Sequence, residues 1–242
     1  MRSPSAADML DSWERGVARG MVDRGLILLA LTDPEADEAA LAALPIGARE
    51  RRLLELRAAA FGPRLTGLVA CEACGEQLEL ALGVDELCAA GAAGDADLTL
   101  VADGYALSLR LPDSADLRAA AAAPPDAAAS LLLRRCVVRA ERDGAPADPE
   151  NLPAALLAAA GDRLADADPL ADLRFALTCV GCGHVWQAPF DAAAFVWAEL
   201  DAWAARMLRE VHTLAAAYGW SERDILRLGA ARRARYLDMV AG

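Results

Sequence analysis

The chain has 242 residues, 56% of them hydrophobic, with 36 acidic against 24 basic side chains and a formal charge of −12. That length holds one large or two small domains with ample apolar content for a core. The acidic balance argues against a nucleic-acid partner, whose phosphates call for cationic surface. The longest apolar run near the start, GLILLAL at 25–31, is far shorter than the ~20 residues of a membrane span. The opening MRSPSAADMLDSWERG also lacks the apolar core of a secretion signal. The expectation is a soluble, cytoplasmic α+β protein, mostly helical, with no membrane partner.

Residues 5–31 and 34–60 read as helices. Met9, Trp13 and Val17 fall at steps of four, while Leu53, Leu54, Ala58 and Phe61 share one face before Gly62-Pro63 ends the pattern. This defines an N-terminal helical region, 1–64.

LVACEACGEQLEL at 68–80 follows, and LTCVGCGHVWQAPFD at 177–191 repeats its arrangement: two cysteines two residues apart, then a glycine. Each Cys-x-x-Cys turn aims two sulfurs at one ion, and the trailing glycine takes the positive φ that the turn needs. A structural zinc site wants four ligands, so the two turns together supply Cys71, Cys74, Cys179 and Cys182. Apolar residues before each turn (Leu65 to Val69, Leu173 to Leu177) and alternating ones after it (Leu78 and Leu80; Val185 and Trp186) predict two hairpins clamped at their tips. The pattern is that of a zinc ribbon, split between 65–88 and 173–190. A simple ribbon separates its knuckles by roughly 15–20 residues, whereas here positions 75–178 intervene. A redox Cys-x-x-Cys would open a helix after a strand, which fits two glycine-trailed turns poorly. Disulfides would need an oxidising compartment that nothing in the chain implies. His184, two residues past Cys182, is expected outside the ligand set, because four thiolates already suffice. Cys88 and Cys136 sit in apolar surroundings and read as small buried hydrophobes.

The insert, 89–172, reads as a mixed α/β lobe. DLTLVADGYALSLRLP at 97–112 is a hairpin signal around Asp103-Gly104. Ser114 is the expected N-cap of a helix that stops at Pro124-Pro125, a second helix runs through DAAASLLLRRCVV, residues 143–149 form a loop, and a third helix covers 152–165. The alanine-rich stretch 119–129 is assigned to these helices because alanine is the best helix former.

In the C-terminal region, 191–242, Asp191 is the expected N-cap of a long amphipathic helix. Trp197, Leu200, Ala204, Met207, Leu208, Val211, Leu214 and Tyr218 recur at steps of three or four. His212 beside that stripe is read as structural. Gly219 ends the helix, Ser221 and Asp224 cap a short one, and AARRARYLDMV closes the chain as another. No Gly-rich phosphate loop, nucleophile elbow or H-E-x-x-H pattern occurs, and two histidines leave little for acid–base work. The expectation is a protein that is not an enzyme.

LPIGARERRLLELRAAAFGPRL at 44–65 and AAAYGWSERDILRLGAARRARYLDMV at 215–240 resemble the T4-type baseplate and tail-assembly proteins of contractile phage tails and phage-tail-like injection systems. The positions that carry the resemblance at the C-terminal end are Tyr218, Gly219, Trp220, Ser221, Ile225, Leu228, Arg232, Arg233 and Tyr236. The resemblance implies a baseplate component or assembly factor, with the zinc ribbon as a rigid clip and baseplate or tail proteins as partners; the long insert has no counterpart in it. Tyr218, Trp220, Arg232, Arg233 and Tyr236 are the expected partner-binding residues, since aromatic and arginine side chains dominate binding hot spots. The alternative is a nucleic-acid-associated zinc ribbon, an accessory factor of transcription or translation. The knuckles and the arginines at 232, 233 and 235 favour it. Against it, residues 218–242 hold five arginines and three acids, and no stacking platform.

Overall fold

The computed structural model describes residues 3–90 and 98–241. The chain is α+β, with helices and small antiparallel sheets. Helix α1 (Ala6–Gly16) starts on a capping box in which Ser5 and Asp8 satisfy each other's backbone N–H. Helix α2 (Met21–Thr32) follows Gly20, so the single helix expected over 5–31 is two. The corner between them is tertiary in origin. Arg24 closes it by donating to the carbonyls of Gly16 and Val17 at 3.1 and 2.8 Å. At Gly16 an added Cβ would stand 2.3 Å from the Trp197 indole, so the long C-terminal helix also requires a glycine there. The helix expected over 34–60 is likewise two, α3 (Glu38–Ala42) and α4 (Ile46–Phe61). Pro45 stands at the α4 N-cap, and a proline disfavours helical backbone in the residue before it.

Two hairpins flank the insert: β1 (Arg64–Ala70) with β2 (Gln77–Gly83), and β7 (Arg174–Thr178) with β8 (Val185–Pro189). After β2 comes α5 (Val84–Ala90). The insert then builds an antiparallel sheet in the order β3 (Thr99–Ala102), β4 (Tyr105–Leu109), β5 (Val137–Arg142), β6 (Ala145–Pro146). Helices α6 (Ser114–Ala122), α7 (Pro125–Arg135) and α8 (Ala154–Ala167) complete it. Residues 91–97, including the first residue of the expected hairpin, lie outside the described residues.

Asp103 and Gly104 both take positive φ (50° and 78°), as a two-residue turn matched to strand twist requires. Asp143 and Gly144 do the same (51° and 80°), so the loop expected at 143–149 opens as a second hairpin turn. Helix α7 ends at Arg135 rather than running through Val138. The β-branched pair Val137-Val138 enters β5, where pairing with β4 decides its state.

The expected cap at Ser114 is also corrected. Asp113 is the N-cap, in a capping box with Asp116, while Ser114 is fully buried inside the first turn. Asp116 is buried as well and is held by Arg110 through two bonds and by Arg135 through one. This pairing keeps its carboxyl at about 2, although burial acts in the opposite direction.

Helix α9 (Ala192–Tyr218) is the spine of the helical body. Trp197, Leu200, Ala204, Met207, Val211 and Leu214 are buried as the periodicity predicts, whereas Leu208 and Tyr218 are 39% and 38% exposed. Helices α1, α2 and α4 pack on it, and α10 (Glu222–Leu226) and α11 (Ala230–Ala241) fold back on its C-terminal half. Trp13 Nε1 donates to Asp201 at 2.8 Å, and Arg57 grips Glu199 through two 2.8 Å bonds.

The insert docks on this body through Asp168. Its Oδ2 accepts the Gly47 N–H at the start of α4 at 2.8 Å, supplying the cap that Pro45 cannot. Ile46 N–H donates to Pro112 O, and Arg118 pairs with Asp23. No helix among the described residues is long and apolar enough to cross a membrane.

Candidate metal centre

The two knuckles sit at the tips of the two hairpins, directly beyond the last pairs Ala70 with Gln77 and Thr178 with Val185. They are built alike. Cys71 N–H donates to Glu76 O at 2.8 Å and Gly75 N–H to Cys71 O at 2.9 Å. Cys179 N–H donates to His184 O at 2.8 Å and Gly183 N–H to Cys179 O at 2.9 Å. Gly75 and Gly183 stand at φ 78° and 73°, which explains the glycine after each second cysteine. The hairpins belong to separate two-stranded sheets and meet through side chains. Leu177, Trp186 and Ala188 are buried between them, backed by Val69, Leu78, Leu80 and Phe175.

This packing brings together sulfurs from the two ends of the insert. The four Sγ atoms of Cys71, Cys74, Cys179 and Cys182 all lie within 4.8 Å of one another. Across the hairpins, Cys71 and Cys182 stand at 3.7 Å and Cys74 and Cys179 at 3.6 Å. A tetrahedron of thiolates about 2.3 Å from a central ion has edges of about 3.8 Å, so the cluster could hold one metal ion in its centre. In each knuckle the first cysteine is buried and the second exposed.

Cys71 and Cys74 depart from an ordinary thiol in opposite directions. At Cys71 desolvation raises the pKa, but backbone N–H groups of Cys74 and Ala73 and the thiols of Cys179 and Cys182 outweigh it and hold the thiol down at about 6. At Cys74 the Glu76 backbone N–H favours the thiolate, yet the thiols of Cys182 and Cys179 push it up to about 12. Four sulfurs this close cannot all ionise without a cation among them, and backbone N–H groups already favour charge there.

His184 stays outside the cluster. Its ring stacks on Trp186 with centroids 5.7 Å apart while its backbone carbonyl closes the knuckle. Neither Cys88 nor Cys136 joins either. Cys88 is half-buried, and burial raises its thiol. Cys136 is fully buried in the core of the insert, where burial and then the Asp116 charge push it up to about 11.

Of the expected partner-binding residues, the three aromatic ones are drawn together at the far end of α9. Tyr218 stacks on Trp220 at 4.7 Å, and Tyr236 meets Trp220 edge-on at 4.8 Å. Of the two expected arginines, Arg233 is 7% exposed, and it bonds Glu210 at 2.6 Å and Leu228 O at 2.9 Å. It fastens α11 to α9, while Arg232 is exposed. His212, expected beside the apolar stripe, faces solvent.

Sequence reasoning missed the two carboxylates that cap helices from a distance, Asp168 on α4 and Glu50 on α9. Neither has a local signal, because each partner lies more than a hundred positions away. No protein-family model, curated protein or solved structure matches this chain.

Proposed function

We propose that this chain is a non-enzymatic structural or assembly protein of a contractile, phage-tail-like baseplate, stiffened by a structural zinc ion in a split ribbon. The observation that carries the zinc reading is the size and donor set of the sulfur cluster. Four thiolates at tetrahedral spacing suit a soft, four-coordinate ion with no open position, which is a structural site rather than a catalytic one. Such an ion would tie the two ends of the insert to each other. The baseplate reading is supported by the resemblance of segments 44–65 and 215–240. Those segments are α4 and the α10–α11 turnback, and both pack on α9.

Metal analysis of reduced, chelator-free protein tests the first half: one equivalent of zinc is expected, and well under one overturns it. Co-expression with baseplate and tube proteins of a contractile system tests the second. The exposed Arg232 is changed in the variant Arg232→Glu. Co-purification should fall while zinc content and thermal stability hold, and co-purification at wild-type yield removes the docking role from this end of the chain.

A further inference from the structure

Glu50 lies on α4 with its carboxyl turned into the junction between α4 and the start of α9. Its Oε2 accepts the Ala192 N–H at 3.0 Å, across 142 positions of sequence, and only 12% of its side chain is exposed. Asp191, the N-cap of α9, binds the Ala194 N–H at 2.9 Å in the same turn. One helix N-terminus is therefore served by two carboxyl groups, one exposed and one buried.

The compensating cation is poorly placed. Arg49 Nε stands 3.5 Å from Glu50 Oε1, and its buried Nε and Nη1 have no hydrogen-bond partner. On the other side, α2 turns Gly25 to the Arg49 guanidinium, where any Cβ would collide. The charged groups that act on Glu50 are Arg49 from α4 and Asp191 from α9; α5 adds apolar Val84 and Leu87 to the same core.

We propose that this junction is a proton-operated latch between the helical body and the root of the second hairpin. A neutral Glu50 accepts the helix N–H groups without placing charge in a water-poor pocket. Once the proton leaves to solvent, the charge stands buried, repelled by Asp191 and incompletely paired with Arg49. Burial, the largest influence, lifts the carboxyl to about 7. Because that value lies above the unfolded one, the latch is tightest at low pH and loosens as pH rises from the ordinary carboxylate range through neutrality. What loosens is the first turn of α9. It continues directly from β8 through Phe190, whose N–H is bonded to Leu173 O at the start of the second hairpin.

Amide exchange on the full-length, metal-loaded protein tests this. Protection of residues 192–196, corrected for intrinsic exchange, should fall between pH 6 and pH 8 by about tenfold more in wild type than in Glu50→Gln. Asp191→Asn keeps an N-capping side chain and removes the repelling charge, so it should move the midpoint to lower pH. Parallel loss of protection in wild type and Glu50→Gln, or an unmoved midpoint in Asp191→Asn, overturns the proposal. The two variants are independent, so a folding failure in one leaves the other decisive. The outcome does not depend on which metal the cysteines hold.

Discussion

The helical body and the pair of hairpins are stabilised by different physics. Around α9 the body gathers a contiguous core in which Leu28, Leu29, Leu53, Leu54, Val196 and Leu200 are almost wholly removed from water. The hairpin cluster has five buried residues, and two of them are the cysteines Cys71 and Cys179. A two-stranded hairpin is marginal in water on its own, and here two of them face each other across a few apolar side chains. Hydrophobic burial scales with area, so a region this small cannot rely on it. Four converging thiols offer another source of free energy, because a structural metal adds its binding energy directly to folding.

The largest effect is expected at the four clustered cysteines. Cys74→Ser or Cys179→Ser should lose the metal and unfold both hairpins, since apparent structural-zinc binding energies are about 10–16 kcal/mol. The body should keep its helical signal, so circular dichroism should change little while fluorescence from the buried Trp186 shifts. Cys88→Ala and Cys136→Ala should keep the metal. Equal metal loss from all four variants would contradict the assignment.

A second effect is expected in the helical body alone. Leu200→Ala removes a side chain that is 1% exposed and should cost about 2–5 kcal/mol in denaturant unfolding. Metal stoichiometry in the folded fraction should not change. A smaller effect separates two adjacent arginines. Arg233→Glu sets a like charge against Glu210 in a mostly buried site and should cost about 3 kcal/mol. Arg232→Glu on the exposed face should stay within about 0.5 kcal/mol. Similar melting points for the two would show that α11 is not fastened at Arg233.

An effect smaller than that at Arg233 depends on pH. Wild-type Glu50 is protonated at pH 5 and charged at pH 8, its folded value having been lifted from 4.5 to about 7. Glu50→Gln should therefore match wild type near pH 5 and be more stable by about 2 kcal/mol at pH 8. A constant difference across that range would place the pH dependence elsewhere.

Much of the four-cysteine cluster was legible from spacing alone. Cys-x-x-Cys with a trailing glycine is a local geometric demand, and the flanking alternation of apolar residues sets the hairpins. The amphipathic stripe of α9 was legible for the same reason, with Trp197, Leu200, Ala204, Met207, Val211 and Leu214 buried and only the outliers Leu208 and Tyr218 exposed. The hairpin turn at Asp143-Gly144 could have been found as well, since it repeats the Asp-Gly signal read at 103–104.

By itself, then, the sequence determined which residues repeat at helical or strand spacing, where positive φ is needed, and which sulfurs come in pairs, because each of these depends on neighbours within a few positions. Only the tertiary structure decided that α1 and α2 part at Gly16, where Trp197 leaves no room for a Cβ, and that Val137 leaves α7 for the sheet. It also decided that Arg233 turns inward to Glu210, and that Asp168 and Glu50 cap helices 121 and 142 positions away. An exposed arginine and a buried one, or a solvated carboxylate and a cap, are the same letters in the same local pattern. What distinguishes them is a partner that long-range packing brings within hydrogen-bond reach.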